Sequence, residues 1–548
     1  MINRNVTEER KKDLKQYRRF WVWAALAAIL FSTAVIRVRL LEAPLERDEG
    51  EYAYAGQLIL QGIAPYAQVY NMKMPGIYAA YALILAVFGQ THSGIHLGLL
   101  VINAATILLL FLLADKLFGP VAGLVTAAAF ALLSLGQWVQ GIFANAEHFV
   151  ILPALGGILL LSHAVDYQKW WSLLAGAFLL GLAFLMKQHG GAFIIFGGLY
   201  LLLCELRRRP FVWKLFVAKG ILFLAGVLLP FALTCLVLWW SGVFEKFWFW
   251  TFVYAREYVS SLPLSKGLQY LKEYIVLIAG SSILIWLLAC IGLIPPLWNK
   301  KAHRSWVFAV GFLLFSFLSM CPGFYFRPHY FILLLPAVAL LAGIGTSSAF
   351  DTLTRILKGP LTRIIQIVSV LAVLFFTMYK QRDFFFVMSP AMATRTTYGY
   401  NPFPESLEIA RYIRENSTKD NRIAVIGSEP QIYFYSNRRS ATGYIYAYPL
   451  MERHSYALKM QQEMIQEIES ARPKFLVFVN VDTSWLVRRE SENLIFEWFK
   501  QYQQKYYSPV GFIDIISGKQ TIYRWGEEAL QYSPRSKYWL VVLQRMSS

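Results

Sequence analysis

Apolar runs of the ~20 residues needed to cross a bilayer recur from Phe20 to about Tyr379, and they constrain this chain more than any motif does. The last third is ordinary mixed sequence. Composition points the same way, with 57% hydrophobic residues, only 16% charged ones and a mean hydropathy of +0.45. These features predict a mainly α, polytopic membrane domain over 1–380 and a soluble domain over 381–548.

The net charge of +19 would suggest nucleic acid in a soluble protein. Here the Lys and Arg residues cluster in short loops between apolar runs, where they act as topology signals, with anionic lipid rather than nucleic acid as the partner. The cysteines, Cys204, Cys235, Cys290 and Cys321, fall in or beside apolar spans without C-x-x-C spacing, which implies neither a disulfide framework nor a zinc site. The basic N-terminus, "MINRNVTEERKKDLKQYRRF", precedes an apolar run too long for a signal-peptide core, so it reads as an uncleaved first helix entered from the cytoplasm.

Taking Phe20–Val38 as the first span puts "RLLEAPLERDEGEYAYAGQ" on the far side. Ile77–Phe88 is only about half a bilayer long and reads as an interfacial helix. "DKLFGP", "DYQKWW", "LRRRP", "WNKKAHR" and "DTLTRILKGPLTR" then fall inside, in agreement with the positive-inside rule. The count reaches about eleven spans and leaves the C-terminal domain extracytoplasmic, as in a bacterial inner membrane. In that domain "ESLEIARYIREN", "MIQEIES" and "LIFEWFKQY" read as helices, while "RIAVIG" and "KFLVFVNV" read as buried strands, giving an α/β domain. No G-x-G-x-x-G or phosphate loop is present.

The unusual polar residues collect on one side. The first external loop holds Asp48, Glu49 and Glu51, then Tyr66, Asn71 and Lys73; the next ones hold Asn145, Glu147 and His148, then Lys187, Gln188 and His189. "FWFWTFVYAREYVS" contributes Arg256 and Glu257, and "CPGFYFRPHYF" contributes Arg327 and His329. Singly, such charges are ordinary interface anchors, and Trp248 and Trp250 an ordinary aromatic belt. Lys187 and Arg327 stand out because external positive charge runs against the rule that explains the other basic loops. His92 and His96 have i,i+4 spacing but no third metal ligand in the sequence nearby. A carboxylate at a helix start can serve as general base toward an acceptor, and Lys and Arg from other loops can neutralise a departing phosphate. A phosphate at the membrane edge implies a lipid-borne donor.

"RDEGEYAYAGQ", "YNMKMPGIY", "LFGPVAGLVTAAAFAL", "FANAEHFVILPAL", "GLAFLMKQ" and "FRPHYFILLLPAVALLAGIG" stand in an order that resembles the GT-C class of integral membrane glycosyltransferases. The resemblance is to the branch holding protein O-mannosyltransferases and the lipid A aminoarabinose transferase, and it spans roughly residues 20–380. It implies a polyprenyl-phosphate-linked sugar as donor, a glycan, lipid or protein acceptor, and inverting transfer. By this resemblance Asp48 is the catalytic base or acceptor-orienting acid, with Glu49 its neighbour and Glu147 a second acid facing the cavity. Lys73, in a Lys-x-Pro-Gly setting where relatives often have Lys-Pro, matches the donor-phosphate lysine; Arg256, Arg327 and His329 complete the phosphate site. Lys187, followed by Gln188 where relatives often have Gly, and Tyr66 are further candidates. No organic cofactor is implied; a divalent cation between Asp48 and Glu147 is left open. The rival readings are a transporter, which should carry charges at span centres and a repeat, and an O-antigen ligase or polymerase, which lacks the Asp-Glu loop.

Overall fold

The computed structural model describes residues 2–294, 303–357 and 359–546. Residues 298–302 of "WNKKAHR" and Lys358 of "DTLTRILKGPLTR" lie outside the described residues. Seven helices are long and apolar enough to cross a membrane: Arg19–Arg39, His92–Phe118, Ala146–Tyr167, Gln188–Leu206, Trp213–Trp240, Leu335–Ile356 and Pro360–Lys380. An eighth crossing is the pair Leu264–Ser281 and Ile283–Ile291, bent by 100°. Four shorter apolar helices accompany them: Pro75–Phe88, Pro120–Leu133, Trp170–Met186 and Ser305–Met320. Three of these four would have to cross as well to reach the expected count of about eleven. The chain is an integral membrane protein with several spans.

Burial orders the helices in the bundle. Ala146–Tyr167 is 61% buried along its apolar window and sits centrally, whereas Pro360–Lys380 is 11% buried and presents Leu361, Ile364, Val368, Leu371 and Phe375 outward. A helix apolar all round with most of its surface uncovered is stable only in lipid.

Past Lys380 the chain builds a five-stranded sheet of β1 (Ile423–Ile426), β2 (Phe475–Asn480), β3 (Tyr507–Ser517), β4 (Gln520–Trp525) and β5 (Trp539–Arg545), in the order β1-β2-β5-β3-β4. β1 and β2 are parallel, so their connection needs a crossover, which contains helix Ala457–Ala471; the other pairs are antiparallel. Helices Phe403–Glu415 and Leu494–Tyr506 complete the α/β domain. The expected helices and the first two strands are present. The three C-terminal strands are additions to that expectation: β3 carries Pro509 and Gly511 with a register shift between them, and β4 is partly exposed along its length, so neither reads as a buried run.

The two parts share one apolar core. Tyr52, Tyr54 and Leu58 of helix Arg47–Leu60 and Ile77, Tyr78 and Tyr81 of helix Pro75–Phe88 belong to the same buried cluster as Ile423–Ile426, Val477 and Leu540. Contact is close enough to require glycine twice. A Cβ on Gly50 would stand 2.6 Å from the Gln431 amide nitrogen, and one on Gly443 would stand 2.3 Å from the Tyr70 ring.

Candidate active site

"RDEGEYAY" opens helix Arg47–Leu60, and its acids have different tasks. Glu46 and Glu49 form a capping box: the Glu49 amide donates to Glu46 Oε1 at 3.0 Å and the Glu46 amide to Glu49 Oε2 at 3.1 Å. Glu49 also accepts from the Ala144 amide at 2.6 Å and lies 3.0 Å from His96 Nε2. Expected beside Asp48 at the catalytic centre, it is instead placed fully buried and outside the cavity lining, where it ties the helix start to the membrane bundle. His96 is held by Glu49 and by the Leu41 carbonyl, and His92 packs edge-on against Tyr435. Glu51 is buried too, accepting from Asn71 Nδ2 at 2.7 Å and from the Tyr78 hydroxyl at 2.5 Å.

That leaves Asp48 facing open space. It lines a cavity of about 360 Å³ together with Lys73, Arg327, His329 and Tyr446. Lys73 Nζ donates to Asp48 Oδ2 at 3.0 Å, and the Tyr446 hydroxyl donates to Oδ1 at 2.6 Å. Burial pushes the Asp48 carboxyl up, but Lys73 and the Tyr446 hydroxyl outweigh it, holding the acid well below the usual carboxylate range. Burial pulls Lys73 down, and Asp48 with Glu51 more than restores it, so the ammonium stays charged far into the alkaline range. Both groups are ionised at neutral pH.

The Lys73 segment is pinned from three sides. Tyr66, at φ 67°, donates its hydroxyl to the Lys73 carbonyl at 2.6 Å; Gln188 Nε2 donates to the Met72 carbonyl at 3.0 Å; Asn71 is held by Glu51. Tyr66 is fully buried and outside the cavity lining, so it acts on the lysine's backbone rather than on a ligand.

Arg327 and His329 line the same cavity. Arg327 lies 5.5 Å from the Tyr325 ring, is hydrogen-bonded to Tyr258, and has no carboxylate partner among the described residues. His329 Nδ1 donates to Gln140 Oε1 at 2.9 Å. Burial lowers its pKa, Glu147 and Asp48 oppose this and Lys187 and Arg327 assist, leaving it at about 4 and the ring neutral. Behind this wall Lys187 bonds Glu147 at 2.5 Å and rests 4.1 Å from the Tyr330 ring centre. Glu147, expected to face the cavity, is fully buried; neither it nor Lys187 lines the cavity, and the pair sits behind Tyr330.

Arg256, expected at the phosphate site, is placed outside the cavity lining. Phe249–Tyr254 forms a π-helical turn that leads into Ala255–Ser260, and Tyr254 and Tyr258 face the cavity. Two residues beyond Tyr254 a helix has turned through about 200°, so Arg256 points away and is exposed. Of the two tryptophans expected in a belt, Trp248 is exposed and Trp250 buried, stacked on Tyr70.

The individual roof residues were not legible in the sequence. Tyr446, Tyr448, Glu452, Asn401 and Thr483 of the C-terminal domain line the same cavity. Glu452 accepts from the Tyr254 hydroxyl at 2.5 Å. Arg47, next to Asp48, is buried and reaches Glu429 at 2.6 Å, Tyr448 at 2.7 Å and Asn401 at 3.0 Å. A signal for Arg47 was available: on the topology expected from the sequence it is external positive charge, the anomaly that singled out Lys187 and Arg327.

A divalent cation does not suit these residues. Among the described residues no three His, Cys, Asp or Glu side chains converge, and each proposed ligand already has an ammonium beside it, Lys73 on Asp48 and Lys187 on Glu147.

The fold is of the GT-C type expected from the sequence. The family model described as dolichyl-phosphate-mannose-protein mannosyltransferase matches residues 73–240. The fold is similar to that of ArnT from Cupriavidus metallidurans bound to undecaprenyl phosphate, at 17% identity over 96% of this chain and 98% of that one, with a TM-score of 0.59. It is also similar to the oligosaccharyltransferase AglB from Archaeoglobus fulgidus, in complex with an inhibitory peptide and a dolichol-phosphate, at 12% identity over 97% and 77% of the two chains and a TM-score of 0.53. No curated protein sequence matches the chain.

Proposed function

We propose that this protein is a glycosyltransferase that moves a sugar from a polyprenyl-phosphate donor to a glycan, lipid or protein acceptor on the extracytoplasmic face of a bacterial inner membrane. The observation that carries the reading is the Asp48–Lys73 ion pair, 3.0 Å apart, set with Arg327 in a cavity roofed by the C-terminal domain. The matched family's donor and the lipid phosphates bound by the structural relatives support it.

In this reading the donor phosphate takes the place between Lys73 and Arg327. Lys73 is then shared between phosphate and Asp48, which weakens its hold on the carboxylate. Asp48, strongly stabilised as an anion and so a poor base at rest, becomes more basic as the donor arrives. The acceptor attacks the anomeric carbon: the new acceptor–carbon bond forms, the carbon–oxygen bond to phosphate breaks, the acceptor proton passes to Asp48, and the lipid phosphate leaves with its charge matched. An oxocarbenium-like transition state and attack opposite the leaving group give inversion.

Purified Asp48→Asn should lose transfer by a factor on the order of 10²–10⁴ while still binding polyprenyl phosphate. Lys73→Ala should chiefly weaken donor binding. Wild-type transfer by Asp48→Asn would sink the mechanism.

A further inference from the structure

Arg439, Arg422, Lys474 and Arg545 stand in a row at one end of four neighbouring extended segments. The Ile423 amide donates to the Arg439 carbonyl at 3.1 Å, the Lys474 amide to the Arg422 carbonyl at 2.9 Å, and the Arg545 amide to the Lys474 carbonyl at 2.9 Å. Adjacent segments in a sheet lie about 4.8 Å apart, so the row spans about 15 Å. Arg472, in a left-handed turn at φ 47°, adds a fifth cation. Arg422, Arg472, Lys474 and Arg545 line a shallow cavity of about 400 Å³ whose one acid is Asp420. Among the described residues the ion pairs involving this domain are Arg47–Glu429, Arg395–Glu405, Arg411 with Glu408 and Glu415, Arg524–Glu528 and Arg382–Asp383; none of the five cations takes part. The Arg545 guanidinium is fixed over Tyr506 at 5.4 Å.

One end of the row meets the membrane edge. Arg439 Nε donates to Gln61 Oε1 at 3.3 Å, and the neighbouring Tyr435 ring lies 5.9 Å from His92, where span His92–Phe118 begins. Leu60, Leu83, Val87 and Phe88, all exposed and apolar, mark the same edge as facing lipid.

We propose that this row binds the phosphate-bearing head group of an anionic lipid in the adjacent leaflet, at a site separate from the transfer cavity and independent of the transfer reading. Unpaired cations at this spacing repel one another until an anion joins them. Arginine forks fit phosphate oxygens in pairs, and a row that starts at the bilayer surface meets lipid phosphates at higher local concentration than any solute.

The test titrates the full chain in neutral detergent with dihexanoyl phosphatidic acid, inorganic phosphate and heparin. Phosphatidic acid should bind the wild type, more weakly as salt rises, and lose affinity by a factor on the order of 10–100 in Arg422→Gln/Arg472→Gln/Lys474→Gln. Lys474→Arg should retain it. Arg472→Gln alone changes one exposed side chain, so its loss of a few-fold keeps the test decisive if the triple variant does not fold. Equal affinity in wild type and Arg472→Gln would overturn the site. Variant-sensitive binding of heparin or inorganic phosphate, with none of phosphatidic acid, would overturn the lipid assignment.

Discussion

Asp48 has both of its oxygens engaged, and the partners come from opposite ends of the chain: Lys73 from the same loop and Tyr446 from the C-terminal domain. Tyr446→Phe removes a charge-assisted hydrogen bond without changing shape, a loss of about 2 kcal/mol for the anion. The acid limb of the pH–rate profile should therefore move to higher pH, with donor affinity nearly unchanged. Glu51 behaves in the opposite way. Burial lifts its pKa from 4.5 to about 7, so the unfolded chain releases this proton earlier than the folded one. Stability is full below pH 4.5, declines as the pH rises toward 7, and has lost about 3 kcal/mol above that. Glu51→Gln should remove this part of the decline, read as a smaller drop in Tm between pH 5 and pH 8 than in the wild type.

Helix Arg47–Leu60 can turn Asp48 toward the cavity because the rest of it is locked. The capping box fixes its start, and Gly50 lets it lie directly on helix Gln431–Ser436. Gly50→Val should force the two helices apart at a cost of about 1–3 kcal/mol, lowering Tm and opening the 381–402 connection to protease. Elements of this kind explain what could be read in advance. Asp48 and Lys73 are 25 residues apart in one loop, and their types, side of the membrane and motif context are all local properties. The facing of Arg256 was not local: it depends on the π-helical turn before it, and aromatic residues in that run fit either phase. β3 was obscured by its own proline and glycine. Tyr446 could not be connected to Asp48, because the two are 398 positions apart and the sequence between them carries no pairing signal.

Across the whole molecule the C-terminal domain is a wall of the site rather than an appendage. Arg47 and Glu429, both buried, join it to the membrane part through a 2.6 Å ion pair. Arg47→Met leaves Glu429 as an unpaired buried charge and should cost about 3–5 kcal/mol; Arg47→Met/Glu429→Gln should recover much of that, a coupling measurable in Tm by a double-mutant cycle.

That ion pair joins residues 382 positions apart. Ribosomes add about 5–20 residues per second, so helix Arg47–Leu60 emerges some 20–75 s before its covering partner exists. Through that interval Tyr54 and Leu58 lack the β1 side of their core, and Asp48 lacks Tyr446. Biogenesis thus has a fixed order. Helix Arg47–Leu60 is made early, waits uncovered through every later membrane crossing, and gains its Tyr446 partner only 398 positions after Asp48.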